Sequence, residues 1–105
     1  MWSRQIGNEI GVSIPLYPAE QFYVITEPID NLSTTLPVIR DFDSSVYFKE
    51  DAGKLWIGIF EGKSIPAFDK TNKVPENFSF GEFPENFEHF EPYLKNSIQR
   101  FPILE

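Results

Sequence analysis

The sequence predicts an α+β fold, an antiparallel β-meander flanked by an N-terminal and a C-terminal helix. Three observations carry that prediction. Short segments rich in β-branched and aromatic residues crowd into residues 21–61 with no crossover helix between them, so neighbouring strands run antiparallel. Apolar residues recur at helical spacing near both ends of the chain. Between Val46 and Glu61 two such segments flank Asp51-Ala52-Gly53-Lys54, which reads as a β-hairpin whose turn uses the positive φ open to Gly53.

Taken in order, Met1–Val12 reads as a helix, with Trp2, Ile6 and Ile10 every fourth residue and Gly11 at its C-cap. Its abrupt start, and the apolar tail Phe101–Leu104, read as parts of a larger domain. Ser13–Glu20 is extended, because Pro15 and Pro18 force their predecessors out of helical space. Strands are expected near 21–27, 36–40, 45–50 and 54–61. Gly62–Asn77 reads as a polar surface loop, and the repeated Pro-Glu-Asn-Phe at 75–78 and 84–87 as local turn chemistry. From Phe87, apolar residues at Phe90, Leu94, Ile98 and Phe101 mark the last helix. Pro92 either kinks it or sits in the first turn of a helix beginning near Glu91.

The hairpin's register follows from its side chains. With Asp51 and Lys54 flanking the turn, Phe48 faces Ile57, Val46 faces Ile59 and Glu50 faces Leu55. Val46, Phe48, Leu55, Ile57 and Ile59 then share one face, and a slip of one residue would scatter them. The other face carries Tyr47, Lys49, Trp56, Gly58 and Phe60, with Tyr47 opposite Gly58. Glycine inside a strand weakens it unless something approaches the backbone closely. Two readings fit this face: a ligand wall built from Tyr47, Trp56 and Phe60, or a second apolar face under a helix.

Composition narrows the function classes. At 105 residues the chain makes at most one small domain, burying roughly 60–65% of its unfolded surface. A net charge of −7 with no basic stripe argues against nucleic-acid and anionic-membrane partners. No apolar stretch approaches the ~18 residues of a spanning helix. Without cysteine there is no disulfide framework and no thiolate metal site. The expectation is a soluble intracellular segment. No Gly-rich phosphate loop is present. His89, the one histidine, is expected on the solvated face of the last helix. Asp41-x-Asp43 lacks the glycine and terminal glutamate of a calcium loop, so no metal site is expected.

In order and spacing, several pieces resemble one stretch of the FAD-dependent amine oxidoreductases, the dimethylglycine dehydrogenase and sarcosine dehydrogenase family of the glycine oxidase/D-amino-acid oxidase superfamily. They are Trp2-Ser3-Arg4-x-x-Gly7, Pro15-Leu16, Tyr23-Val24-Ile25-Thr26-Glu27, Leu36-Pro37-Val38-Ile39-Arg40-Asp41, Val46-Tyr47-Phe48-Lys49-Glu50, Gly58-x-Phe60-Glu61, Phe87–Pro92 and Arg100-x-Pro102. The resemblance implies that residues 1–12 end a flavin-binding region and that 13–105 form a substrate-binding sheet segment with a C-terminal helix. It implies oxidation of an N-methyl amine by hydride transfer to FAD held mainly by the remainder of the flavoprotein, with tetrahydrofolate a possible carbon acceptor. Tyr47 matches an active-site tyrosine near the substrate amine, and Gln21 stands where relatives carry a histidine. Glutamine hydrogen-bonds but does not titrate. The resemblance places Tyr23 with the substrate and Trp2 with the cofactor, and the protein in the cytoplasm, or the mitochondrial matrix of a eukaryote. It extends also to the regulatory subunit of pyruvate dehydrogenase phosphatase, so a non-catalytic regulatory or scaffold module is the alternative.

Overall fold

A computed structural model describes residues 1–68 and 73–105. The chain forms two compact units, one of Met1–Glu20 with Lys63–Pro84 and one of Gln21–Gly62 with Glu85–Glu105. The second unit holds the sheet. Strands β1 (Tyr23–Ile25), β2 (Ile39–Asp41), β3 (Val46–Asp51) and β4 (Lys54–Ile59) pair antiparallel in the order β1-β4-β3-β2. Strands β2 to β4 follow one another as a meander, and β1 lies beside β4 at the far edge, a Greek-key order.

The hairpin has the register that its side chains dictate: Val46 pairs with Ile59, Phe48 with Ile57, Glu50 with Leu55 and Tyr47 with Gly58. Val46, Phe48, Leu55, Ile57 and Ile59 are each at most 1% exposed. Burying a side chain of this kind stabilises by about 1.5–3 kcal/mol, which is what holds the register. At the turn both Ala52 (φ 53°) and Gly53 (φ 78°) are left-handed, and Glu50 Oε1 accepts the Gly53 N–H at 2.9 Å.

The two outer strands are shorter than expected. Beyond Ile25 the ladder passes partly to a side chain: Thr26 N–H donates to the Leu55 carbonyl at 3.0 Å, while Leu55 N–H donates to Thr26 Oγ1 at 3.0 Å. Pro28 and Pro37, which have no N–H to give a ladder, stand at the shortened ends.

Helix α2 spans Phe87–Arg100 and runs through Pro92 rather than beginning near Glu91. Asn86 sets the earlier start, its Oδ1 accepting the His89 N–H at 3.1 Å. Pro92 has no N–H to offer the Glu88 carbonyl, and packing of the apolar stripe outweighs that lost bond. Phe90 is 2% exposed and joins the hairpin core, with Tyr93, Leu94, Phe101 and Leu104 packed against it. Phe101 stacks on Phe48 with ring centroids 4.5 Å apart. Arg100 closes the helix onto the end of β2, with Nε 2.8 Å from Asp41 Oδ2 and Nη2 3.6 Å from Asp43 Oδ2. A short 3₁₀ turn, Pro102–Leu104, follows.

His89 departs from the surface position expected of it. Its side chain is 22% exposed and its Nε2 lies 3.5 Å from Oε1 of Glu61, whose side chain is 1% exposed. Phe22 packs on the imidazole at 5.1 Å. Strand alternation turns Glu61 to the helix side, along with Ile57 and Ile59, and that side is where α2 brings His89.

In the first unit, helix α1 covers Ser3–Glu9, shorter than the Met1–Val12 expected, with Trp2 as an N-cap that offers no side-chain bond. Gly11 (φ 74°) turns the chain out of the helix. Gly7 is the residue of α1 that is buried, while Trp2, Ile6 and Ile10 are exposed. A Cβ at Gly7 would meet the Val12 carbonyl and the Ile14 side chain. Gln5 binds both backbone groups of buried Val74, each at 3.1 Å. Ala19, in the extended segment 13–20, forms an antiparallel bridge with Pro66 of the predicted 62–77 loop, of which residues 69–72 lie outside the described residues.

Candidate functional site

Across the sheet, Tyr23, Gly58, Tyr47 and Arg40 are successive partners on β1, β4, β3 and β2. Residues paired this way project to the same face, here the one opposite α2. Ile25, Trp56 and Lys49 form the neighbouring row. The core-facing rows are mostly apolar and closed by α2, and two of their acids, Asp41 and Glu61, are met by Arg100 and His89 of that helix; the face open to a ligand is the other one.

Gly58 is explained by Tyr47. A Cβ at position 58 would run into the Tyr47 ring and its hydroxyl oxygen, so the phenol itself fills the place a side chain would take. The sequence predicts a phenol facing a gap; the structure has the phenol lying in it. An aromatic ring laid over a strand glycine restores the packing the glycine lacks. Tyr47 is half-buried there, tilted against Phe60 with centroids 5.2 Å apart. Among the described residues its hydroxyl has no hydrogen-bond partner.

Around it stand two further aromatic groups. Tyr23 stacks on Trp56 with centroids 5.2 Å apart and an interplanar angle of 6°. Arg40 holds its guanidinium carbon 4.0 Å from the Phe60 centroid and 4.6 Å from that of Phe42. Lys49 lies 5.4 Å from the Trp56 centroid and 3.9 Å from Asp51 Oδ2. Tyr23 (51% exposed) and Phe60 (41%) leave the face open to solvent. It is an aromatic surface with a phenol at its centre and cations at its side.

Gln21 lies just ahead of β1. Pairing reaches that far, since Ile59 N–H donates to the Phe22 carbonyl at 3.4 Å. Alternation from Tyr23 puts Gln21 on the Tyr47 side, at the level of Phe60. Thus Tyr47, Tyr23, Trp56, Gly58 and Phe60 share one face, with Gln21 at its margin. Trp2 belongs to the first unit, where it lines an open groove of about 710 Å³ with Arg4, Asn8 and Glu76. Arg40 is the residue that sequence reading passed over. The signal for it was present: Arg40 pairs with Tyr47 once β2 joins β3 in the correct register.

Asp41, next to Arg40, turns to the helix side. The Ser44 hydroxyl hydrogen bond holds its carboxyl below the ordinary value, helped by backbone N–H groups of Ser44 and Asp43 and by the Arg100 charge, with partial burial opposing. It is a structural carboxylate, engaged away from the open face.

The described residues do not fit the pyrophosphate of a dinucleotide cofactor. The seven-residue α1 has no glycine turn before it, and the N-terminus of α2 is occupied by its own Asn86. No group of three or more potential metal ligands occurs among them. No described helix is long and apolar enough to cross a membrane.

No family model matches the chain. Individual proteins do. The chain is 39% identical over 104 residues to a 4-methylaminobutanoate oxidase (formaldehyde-forming) of Paenarthrobacter nicotinovorans, covering 99% of this chain and 12% of that protein. Human mitochondrial sarcosine dehydrogenase is 33% identical over 105 residues, covering 100% of this chain and 11% of that protein. The mouse mitochondrial regulatory subunit of pyruvate dehydrogenase phosphatase is 35% identical over 107 residues, at 99% and 12%. The chain therefore spans about one-eighth of the length of these relatives. Matched over nearly its whole length by such proteins, it belongs to the family of the sarcosine and dimethylglycine dehydrogenases, as a segment of their much longer chain.

Proposed function

We propose that this chain is the substrate-binding segment of an FAD-dependent oxidoreductase that oxidises an N-methyl amine of the dimethylglycine or sarcosine type. In this reading residues 1–12 end the flavin-binding region and 13–105 carry the substrate sheet. The observation that supports it best is the Tyr47 phenol, laid across Gly58 at the centre of an open aromatic face, with no hydrogen-bond partner for its hydroxyl among the described residues. FAD, held by the remainder of the protein, supplies the hydride acceptor.

The work of this chain is to place and tune the amine. A secondary or tertiary amine is largely protonated near neutral pH, and only the neutral form has a lone pair to assist departure of hydride from its methyl carbon. The Tyr47 hydroxyl is positioned to hydrogen-bond that nitrogen and orient it. Gln21 assists from the margin of the face without taking up a proton. Tyr23, Trp56 and Phe60 enclose the N-methyl groups against aromatic surface. Loss of the hydride leaves an iminium, which water cleaves to formaldehyde and the demethylated amine, or whose one-carbon unit passes to tetrahydrofolate.

The test uses the complete protein that contains this segment. Mixed anaerobically with dimethylglycine, sarcosine or 4-methylaminobutanoate, it should lose its oxidised-flavin absorbance and, on turnover with an acceptor, release formaldehyde. A flavin that none of these amines reduces overturns the enzymatic reading and favours the regulatory alternative.

A further inference from the structure

We propose that Arg40 anchors the substrate's carboxylate, which makes it the residue by which this site selects N-methyl amino acids over simple N-methyl amines. This rests on the amine-oxidising reading above and names which end of the substrate each group holds. Arg40 and Tyr47 are direct partners across β2 and β3, so their side chains leave the same face about 4.5–5.5 Å apart at Cβ. One offers a phenol with no hydrogen-bond partner among the described residues; the other offers a cation.

That cation is held in an unusual way. The chain has 16 acidic residues against nine basic ones, so an arginine without a carboxylate partner needs a reason. Lys49 pairs with Asp51, Lys95 with Glu91, Arg100 with Asp41 and Asp43, and His89 with Glu61, whereas Arg40 has no ion pair among the described residues. Its nearest acid in sequence, Asp41, is engaged by Arg100 and Ser44. Arg40 is held instead by the rings of Phe42 and Phe60. Such contacts orient the planar guanidinium through its π face and leave its N–H edges free for a bidentate acceptor. Of the other cations that alternation puts on this face, Lys49 is already paired with Asp51, and Lys54 stands opposite Asp51 at the turn end of the hairpin, away from Tyr47. A ligand carrying an amine at one end and a carboxylate at the other is complementary to the Tyr47–Arg40 pair.

The experiment compares Arg40→Met and Arg40→Lys in the complete flavoprotein, methionine keeping an unbranched stem between the two rings. The probes are dimethylglycine and 4-methylaminobutanoate, each beside its methyl ester. Binding is measured by calorimetric titration, and KM and kcat by turnover. Arg40→Met should weaken binding and raise KM for the acids about 10–100-fold, the range of a charge-assisted bond, and leave the esters within about threefold. Arg40→Lys should recover part of the loss. An equal loss for acids and esters, or unchanged acid binding, overturns the proposal. Should the wild-type protein oxidise no probe, the enzymatic reading fails. The calorimetric comparison then decides Arg40 alone: acid binding lost in Arg40→Met supports the anchor, and absent or Arg40-independent acid binding removes it.

Discussion

Three residues on or beside the open face have measurable consequences when changed. Tyr47→Phe removes the hydroxyl but keeps the ring over Gly58, so folding should be nearly unaffected. On the proposed amine-oxidising reading, in the complete protein it should slow flavin reduction by roughly one to three orders of magnitude, the range of positioning and acid–base effects, as rapid mixing across pH will show. Gln21→His should be neutral or activating in the same assay, because it supplies a titratable imidazole at the margin of the face where the proposed amine binds. Unchanged reduction in Tyr47→Phe would leave the phenol as packing alone. Gly58→Ala is the complementary change. A Cβ at 58 has nowhere to go while Tyr47 occupies the space, so the ring must leave its place at a cost of about 1–3 kcal/mol. A lower denaturation midpoint, with reduction slowed as in Tyr47→Phe, is expected; retention of both would show that the ring moves aside freely.

At the scale of elements, the hairpin is over-determined on its strands and under-optimised at its turn. The five buried apolar side chains fix the pairing, yet Ala52 sits at φ 53°, a region that a Cβ disfavours. Two consecutive left-handed residues are what a type I′ turn requires, and Asn-Gly suits it better than Ala-Gly. Ala52→Asn should therefore stabilise the protein by about 0.5–1 kcal/mol, read as a raised midpoint in urea with an unchanged slope. A destabilised variant would mean that the turn is set by packing rather than by its own backbone preference. Helix α2 shows the opposite balance, with Pro92 tolerated inside it because Asn86 caps the first turn and Phe90 is buried.

At the scale of the sheet unit, the helix and the end of β2 are joined by Arg100, Asp41 and Asp43. Asp41 has a lowered pKa, first through the Ser44 hydroxyl and then through neighbouring N–H groups and Arg100. A carboxyl whose folded pKa lies below its unfolded value contributes stability above the unfolded value. It loses that contribution as pH falls through the folded one. Acid should thus begin to erode the wild-type protein's advantage near and below the ordinary value of 3.8. Asp41→Asn should be less stable than wild type at neutral pH and should show a flatter stability profile on the acid side. Parallel profiles for the two proteins would mean that Arg100 and Ser44 gain nothing from the charge.

Much of this protein is legible in its sequence because local rules and burial agree. Alternation in Val46–Glu61 fixed the hairpin, its register, its buried face and the placing of Tyr47 opposite Gly58, since only one register gathers all five apolar side chains. The resemblance of the chain to a flavoprotein segment was legible for another reason: it rests on residue order and spacing, which need no coordinates. Other features were decided by contacts distant in sequence. The return of β1 to β4 depends on which edge remains open once β2 to β4 have paired. The start of α2 depends on the Asn86 cap and on packing of Phe90 into the core, which together outweigh the breaking tendency of Pro92. His89 lies beside Glu61 because strand parity and helix phase coincide there, a relation no periodicity within α2 displays. Arg40 likewise becomes notable only in three dimensions, where Phe42 and Phe60 hold its charge while the nearby acid turns to the other face.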